Sequence, residues 1–239
     1  MADVTPNVSL VATPEAVSFL QNCQLPVQLN AMTGNPAHYD YDAEINTAIT
    51  NLQGKAKESA TLVARLTQDE VRTSPLKHQE ASKLAGRLVE MAEGTQRLLA
   101  SKAKGYMDAS SDFMGKTFTP NPQREGYYLR AADWISREAK NGDGNGYKAI
   151  REAVTEDPDF AVAIYNTSHR LLGLPKEHAM DFAEKAVKAF APAALDYIEK
   201  SQRLDELAKR YPAFIAQVRS SYFSPFELAK VRTYVEMPS

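Results

Sequence analysis

The sequence predicts an all-α fold, and three observations support this prediction. Alanine and other residues with high helix propensity are frequent along the chain. Two long stretches place apolar or small residues at alternating steps of four and three, which is the periodicity of packed helices. Helix-start signals recur, in which a hydroxyl or carboxylate side chain precedes proline or an acidic residue. We expect a long antiparallel helical hairpin over about 42–112, a C-terminal multi-helix bundle and an irregular N-terminal arm.

The predicted architecture divides the 239 residues into four parts. They are an N-terminal arm or cap at 1–41, the elongated helical hairpin at 42–114, the helical bundle at 126–222 and a C-terminal tail at 223–239. The bundle begins where helical periodicity resumes at Gly126. Its further helices are expected at about 147–155, 159–172, 175–190, 193–210 and 212–222.

The clearest signal in the sequence is the hairpin. Asp42 is placed to cap the first helix, and Ser74-Pro75 starts the second. The seam of the first helix consists of Ile45, Ile49, Leu52, Ala56, Ser59, Val63 and Leu66. The seam of the second consists of Ala81, Leu84, Leu88, Met91, Thr95 and Leu98. Both seams repeat about every 3.5 residues, as in supercoiled helix pairs, and the short connection between them predicts an antiparallel pair.

A linker is predicted between the hairpin and the bundle, at Gly115–Gly126. The segment has no helical period and contains Pro120 and Pro122, which are typical of irregular structure. Phe113 and Phe118 are its candidate anchors.

The N-terminal arm has no lysine or arginine, since the first basic residue is Lys55. Thr13-Pro14-Glu15 predicts a short helix to about Asn22, with a hydroxyl cap, proline in the first turn and an acid at the positive helix end. A segment with so little charge favours contact with an apolar surface. Two readings stay open: the arm packs on its own domain, or it reaches onto a neighbouring subunit.

The charges argue against two classes of partner. The formal net charge is −2, and acids and bases are mixed along the chain. Lys83 and Arg87 share a helix face with Glu80 and Glu90, which indicates a solvated face and not a nucleic-acid site. The longest charge-free window, Ala16–Tyr39, is too polar to span a bilayer. We expect a soluble protein without nucleic-acid or membrane partners, located in the cytoplasm or in a particle assembled there.

Residues Asn141–Glu152 resemble the calcium-binding loop of EF-hand proteins. That loop has oxygen ligands at its first, third, fifth, seventh and twelfth positions and glycine at its sixth. The matching residues are Asp143, Asn145, Gly146, Tyr147 and Glu152. The departures are Asn141 at the first position and Lys148 at the eighth. The resemblance implies a calcium site, and the alternative is a helix–helix turn whose glycines adopt positive φ.

The following segment resembles a tetratricopeptide repeat. Pro158 and Pro192 are 34 residues apart, close to the period of that family. Ala153 and Ala186 recur at nearly the same interval, whereas Ser168 stands where the family has glycine. The resemblance implies a groove that binds peptides or proteins. The alternative is a chance period in alanine-rich helix pairs.

Outside the Asn141–Glu152 segment, no motif predicts catalysis or metal binding. The histidines, which are His38, His78, His169 and His178, lack metal-ligand spacing. We interpret them as surface or capping residues and Cys23 as a small buried hydrophobe. Glu125, Asp133 and Glu138 flank Trp134. Two of these acids form a glycosidase pair only if the distance between their carboxyl groups suits that chemistry. We therefore assign no catalytic, cofactor-binding or metal-binding residue and expect no cofactor.

The leading hypothesis is a non-enzymatic helical structural or interaction protein, a subunit or adaptor of a larger assembly such as a virion or other particle. Its contacts with a protein partner or a second copy are expected through helix faces and through arm residues such as Val8, Leu10 and Phe19. One alternative is a calcium- or peptide-binding module that uses the 141–192 region. Another is an enzyme with an unrecognised helical active site.

Overall fold

The computed structural model describes residues 9–141 and 144–231. Every extended regular element within these ranges is a helix, so the all-α prediction is confirmed. The hairpin and the C-terminal helices are confirmed with it. Among the described residues, none of the helices combines the length and apolarity needed to cross a bilayer.

The arm is more regular than the sequence predicts. Helix α1 covers Pro14–Asn22, as expected from its start signal, and the Thr13 hydroxyl accepts a hydrogen bond in its first turn. Helix α2 covers Pro26–Thr33, which the prolines had led us to expect as irregular chain. Proline in the first turn starts a helix instead of breaking it. A 3₁₀ turn at Pro36–Tyr39 completes the segment.

Helices α3 (Ala43–Thr67) and α4 (Ser74–Phe118) form the hairpin. The Asp42 carboxylate caps α3 by accepting from the backbone N–H groups of Glu44 and Ile45. The α4 helix continues beyond the expected linker start, so the linker prediction is wrong for that stretch.

The buried seam of α3 runs from Ile45 to Val63 as predicted, and Leu66 is half-buried. In α4 the predicted seam is right at alternate positions only. The buried predicted positions are Ala81, Leu88 and Thr95. Ala85, Ala92 and Leu99 are buried as well, each one residue after the predicted Leu84, Met91 and Leu98, and Val89 is a further buried residue of this stretch. Alanine at 85 and 92 lets the α4 backbone approach its neighbours closely, which moves the larger side chains to the edge of the contact.

The remaining helices are α5 (Glu125–Lys140), α6 (Gly144–Glu156), α7 (Pro158–Asn166), α8 (Lys176–Phe190), α9 (Pro192–Ala208), α10 (Tyr211–Tyr222) and α11 (Pro225–Val231). Those up to α10 follow the sequence prediction with shifted ends, whereas α11 lies in the segment that was expected as a C-terminal tail. The largest shift is at the end of α7, which stops six residues before the expected end. Thr167 is extended there, and Gly173 adopts a φ of 65° in the turn that follows.

Contacts divide the chain into two compact units. Unit 1 comprises residues 1–101 and 204–239, and unit 2 comprises residues 102–203. Residues 204–222, which the periodicity grouped with the bundle, therefore belong with the N-terminal part of the chain.

In unit 1 the described part of the arm packs on its own unit, because α1 contacts α10. The Phe19 ring lies 5.8 Å from the ring of Phe214 and 6.4 Å from that of Tyr222. Phe19 is only 4% exposed. The first of the two readings of the arm is therefore right for residues 14–41.

Two buried tyrosines add polar contacts to the core of unit 1. The Tyr222 hydroxyl lies 2.8 Å from that of Ser59, and the Tyr211 hydroxyl donates to the Thr33 carbonyl at 3.0 Å. Burial raises the pKa of both tyrosines, so both remain protonated hydrogen-bonding groups. These bonds connect α10 to α3 and to the end of α2.

In unit 2 helix α7 contacts α5, α6 and α8. The largest buried side chains of its core are Phe118, Ile135, Ile150, Leu172 and Phe182. Phe118 therefore acts as the predicted anchor, and its ring stacks on Tyr165 with centroids 4.5 Å apart. Phe113, the other candidate anchor, is exposed.

His78 is a buried residue of unit 1, contrary to its interpretation as a surface or capping residue. Its Nδ1 accepts a hydrogen bond from the Ser224 N–H at 3.0 Å, just before α11 begins. Burial lowers the pKa of His78, partly opposed by the nearby Glu227 carboxylate and reinforced by Lys230. The neutral ring is therefore the form that the fold favours.

We expect the free energy of unfolding to decline as the pH falls from 8 to 5, in part through His78. Because the unfolded chain titrates near pH 6.5 and the folded pKa is lower, the contribution of His78 is complete above pH 6.5 and is lost below it. Urea denaturation followed by circular dichroism, with His78→Gln for comparison, measures this effect. An equally steep pH dependence in both proteins contradicts the prediction.

Candidate protein-interaction surfaces

A groove of about 470 Å³ lies between α5 and α7 in unit 2, and we call it the α5–α7 groove. Its lining includes the small or apolar residues Ala132, Val162 and Ala163. Leu129 and Leu171 also line it, and they are 61% and 76% exposed. Large exposed apolar side chains beside an apolar groove are typical of a surface that binds another protein.

Two polar side chains of the groove, those of Tyr128 and Asn166, are engaged within the chain. The Tyr128 hydroxyl accepts from the Asn121 N–H at 3.1 Å. The Asn166 side-chain amide donates to the carbonyls of Phe118 and Val162, at 2.7 and 2.8 Å. These groups hold α5, α7 and the end of α4 in place, and they leave the recognition of a partner to the apolar side chains and to the two carboxylates that line the groove, those of Glu125 and Asp133.

An ion pair connects the start of α5 to the start of α7. The Arg124 guanidinium donates to the Asp159 carboxylate at 2.5 Å, and Asp159 is largely buried. The backbone N–H of Asp159 in turn donates to the Asp157 carboxylate, which caps α7. A buried carboxylate that has lost water is stabilised by such a partner. The two walls of the groove are thereby fixed at one end.

A close approach to α6 fixes the other end of α5. A Cβ atom on Gly146 would lie 2.3 Å from the carbonyl oxygen of Glu138, so only glycine fits here. Among the described residues, positive φ occurs at Gly34 and Gly173 and not at Gly146. Gly146 therefore serves close helix packing and not a left-handed turn, whereas Gly142 of the predicted turn lies outside the described residues.

The exposed face of α5 carries a short pattern of acid, leucine and acid. Glu125, Leu129 and Asp133 are spaced by four residues, so they share one face of the helix. All three are exposed. Within the described part of the chain, neither carboxylate has an ion-pair partner. We call these three residues the acidic ridge.

A second groove, of about 350 Å³, lies in unit 1 between the end of α3 and the start of α4. We call it the basic groove. It is lined by three half-buried leucines, which are Leu62, Leu66 and Leu84. The cations in its lining are Arg65, Arg72, Lys83 and Arg87. Arg72 and Lys83 are paired with the nearby acids Asp69 and Glu80.

Arg65 and Arg87 provide the uncompensated charge of the basic groove. Both are exposed, and neither pairs with an acid among the residues that the structure describes. The sequence prediction of a solvated face is right for Lys83, which has its own acidic neighbour. It overlooked Arg65 and Arg72, because only the antiparallel pairing brings them beside α4.

The described Cys and His residues show no catalytic arrangement. Burial raises the pKa of Cys23 to about 12, so this thiol stays protonated and behaves as the predicted small hydrophobe. His169 lies 3.2 Å from the Leu174 carbonyl, and the His178 ring lies 4.5 Å from that of Tyr147. Among the residues in the described ranges, no group of three or more His, Cys, Asp or Glu side chains is placed to hold a metal ion.

The resemblance to a calcium loop does not extend to the backbone conformation. Residues 144–152, which include the fifth to twelfth positions of the loop, are helical. A helical carbonyl such as that of Tyr147 points along the axis and cannot turn toward a central ion. Glu152 lies 3.8 Å from the Lys148 ammonium. Asp143 lies outside the described residues.

Glu125 and Asp133, two of the acids around Trp134, do not have the spacing of a glycosidase pair. Glu125 and Asp133 are two helical turns apart, which corresponds to about 12 Å along the axis. The carboxyl groups of glycosidases stand about 5–9.5 Å apart. Glu138 accepts a hydrogen bond from the Asn141 side chain at 3.3 Å.

The period that resembles a tetratricopeptide repeat corresponds to helix starts. Pro158 and Pro192 open α7 and α9, since proline is favoured in the first turn. Comparisons with protein-family models, with curated proteins and with solved structures give no match. The case for function therefore depends on the two surfaces themselves.

One feature of the sequence indicates these surfaces. Leu129 lies outside the apolar face formed by Tyr128, Ala131 and Ile135, so its position already indicated an exposed leucine. No feature of the sequence indicates that Leu171 is exposed. The prediction places it inside a helix over 159–172, whereas α7 ends at Asn166. The groove itself depends on tertiary packing.

We expect Gly146→Ala to destabilise unit 2 by about 1–3 kcal/mol, because the added methyl group forces α5 and α6 apart. Urea denaturation followed by fluorescence measures this loss. The chain has one tryptophan, Trp134, which lies in unit 2 and reports on it. Gly126→Ala is the control, since nothing lies within 4 Å of its added Cβ. Equal losses in both variants contradict the proposed role of Gly146.

Calcium is expected to leave the protein unchanged, because the helix from Gly144 to Glu156 replaces the ligand loop. Titration calorimetry of calcium into the protein and into Asp143→Ala tests this. We expect only dilution heat in both. A saturable heat that the substitution abolishes would restore the calcium hypothesis.

Proposed function

We propose that this protein is a non-enzymatic interaction protein, a subunit or adaptor of a larger assembly that binds a protein partner through the acidic ridge and the α5–α7 groove. The observation that carries the proposal is the exposure of Leu129 and Leu171 beside an apolar groove. A cytoplasmic location, or incorporation in a particle assembled there, belongs to the same proposal.

The energetics of burial support this surface. Covering a leucine side chain contributes about 1.5–3 kcal/mol relative to leaving it in water. Leu129 and Leu171 together therefore supply a substantial part of the free energy of a specific contact. The carboxylates of Glu125 and Asp133 add selectivity for a partner with positive charge.

The arm contributes less to this proposal than the sequence suggested. Phe19 is buried against α10 and is not available to a neighbour. Leu10 is half-buried, and Val8 lies outside the described residues. The helix faces are therefore the stronger candidates for the contact.

A photo-crosslinking amino acid at position 129, introduced in the cells that make the protein, is expected to give a discrete protein adduct. The same reagent at position 188 is the control, because Lys188 lies on an exposed polar face of α8 and pairs with Glu184. We expect at least about tenfold more adduct at 129 than at 188, as a central interface position dominates a contact. Equal labelling at the two positions contradicts the proposal.

A further inference from the structure

We propose that the acidic ridge of one copy binds the basic groove of a second copy of this chain. This inference rests on the proposed function, because it names the partner of the same surface. The two surfaces are the α5 face with Glu125, Leu129 and Asp133, and the α3–α4 groove with Arg65 and Arg87.

The charges of the two surfaces complement each other. The ridge presents two carboxylates, and the groove presents two guanidinium groups, all exposed and without ion-pair partners among the described residues. The other cations of the groove, Arg72 and Lys83, already have acidic partners. Arg pairs well with carboxylates because its planar group can donate two parallel hydrogen bonds. When the ridge of one copy docks in the groove of another, the two carboxylates and the two guanidinium groups gain ion-pair partners.

The spacing of the charges also agrees. Glu125 and Asp133 are separated by about 12 Å along α5, from the rise of 1.5 Å per residue. The Lys77 ammonium reaches the Thr67 carbonyl, which sets the approximate register of α3 against α4. With Thr67 opposite Lys77, Arg65 lies two residues and Arg87 ten residues into the hairpin, which separates them by about 12 Å along it.

Both surfaces also offer apolar side chains. Leu129 lies between the two acids along α5 and is exposed, and the basic groove has leucines at Leu62, Leu66 and Leu84. An amphipathic helix whose central leucine enters an apolar groove between two helices is a common mode of protein recognition. Leu171, which is exposed beside the ridge, extends the apolar contact.

The size and symmetry of this contact predict its behaviour. A stable interface buries about 800 Å² on each partner, and one helix face with one neighbouring leucine covers less. The association is therefore weak and depends on concentration. Because the two surfaces differ, the contact is head-to-tail and leads to rings or open chains of copies.

The test uses two charge-reversed full-length chains. One carries Glu125→Lys and Asp133→Lys, and the other carries Arg65→Glu and Arg87→Glu. Analytical ultracentrifugation at about 50 mM salt, where screening is modest, measures the mass at increasing protein concentration. The natural chain is expected to associate, and each reversed chain alone is expected to associate at least about tenfold more weakly. An equal mixture of the two is expected to regain association, because the reversed charges attract.

The control variant carries Glu184→Lys and Glu199→Lys on exposed faces elsewhere in unit 2. Its net charge changes by the same amount as that of the chain with Glu125→Lys and Asp133→Lys. It is expected to associate like the natural chain. A natural chain that stays monomeric, a mixture that does not regain association, or a control that loses it overturns this inference.

If crosslinking at position 129 then yields a different protein, the proposed function stands and only the identity of the partner is wrong. If position 129 gives no selective adduct, the proposed function falls as well.

Discussion

The close approach of α5 and α6 at Gly146 is the constraint on which the candidate site depends. With the Glu138 carbonyl occupying the space of a side chain, the two helices pack backbone to backbone and fix the rotation of α5. That rotation buries Ala131, Ile135 and Ala139 and leaves Leu129 on the outside. Core packing at small residues therefore determines which large residue faces solvent. An exposed leucine produced in this way is part of the fold and has a fixed position, which is what a recognition surface requires.

Local signals in the sequence predicted the helices better than the surfaces. Thr13 and Asp42 cap helices where the pattern indicated, because a cap depends only on neighbouring residues. The α4 seam was predicted one residue early at alternate positions, since a repeat of 3.5 residues does not show how closely alanines such as Ala85 allow the backbone to approach. The grooves could not be predicted, because Arg65 joins Arg87 only through the antiparallel pairing of two helices. The periodicity of a sequence identifies the residues on one face of a single helix, whereas a groove is lined by residues from several helices.

Part of the exterior carries charges that are compensated within a single helix. On α8 and α9, exposed acids and bases pair four residues apart along the same helix, as in Lys188–Glu184 and Arg203–Glu199. Such pairs contribute little to stability, but they leave few charges free for a partner. The acidic ridge and the two arginines of the basic groove lack this internal compensation among the described residues. Their charges are therefore available for recognition of another molecule, and attraction between them also speeds encounter.

A weak head-to-tail contact has a consequence that a tight dimer lacks. Each copy presents one ridge and one groove, so adding a copy leaves both kinds of surface available at the ends of the growing chain. Association of this kind responds steeply to local concentration, and it becomes stable when several contacts act together or when a ring closes. The mixed surface charge elsewhere opposes non-specific clustering, so growth proceeds through the one complementary pair. Under the proposed function, head-to-tail contact of this kind makes the degree of association depend on the abundance of the chain.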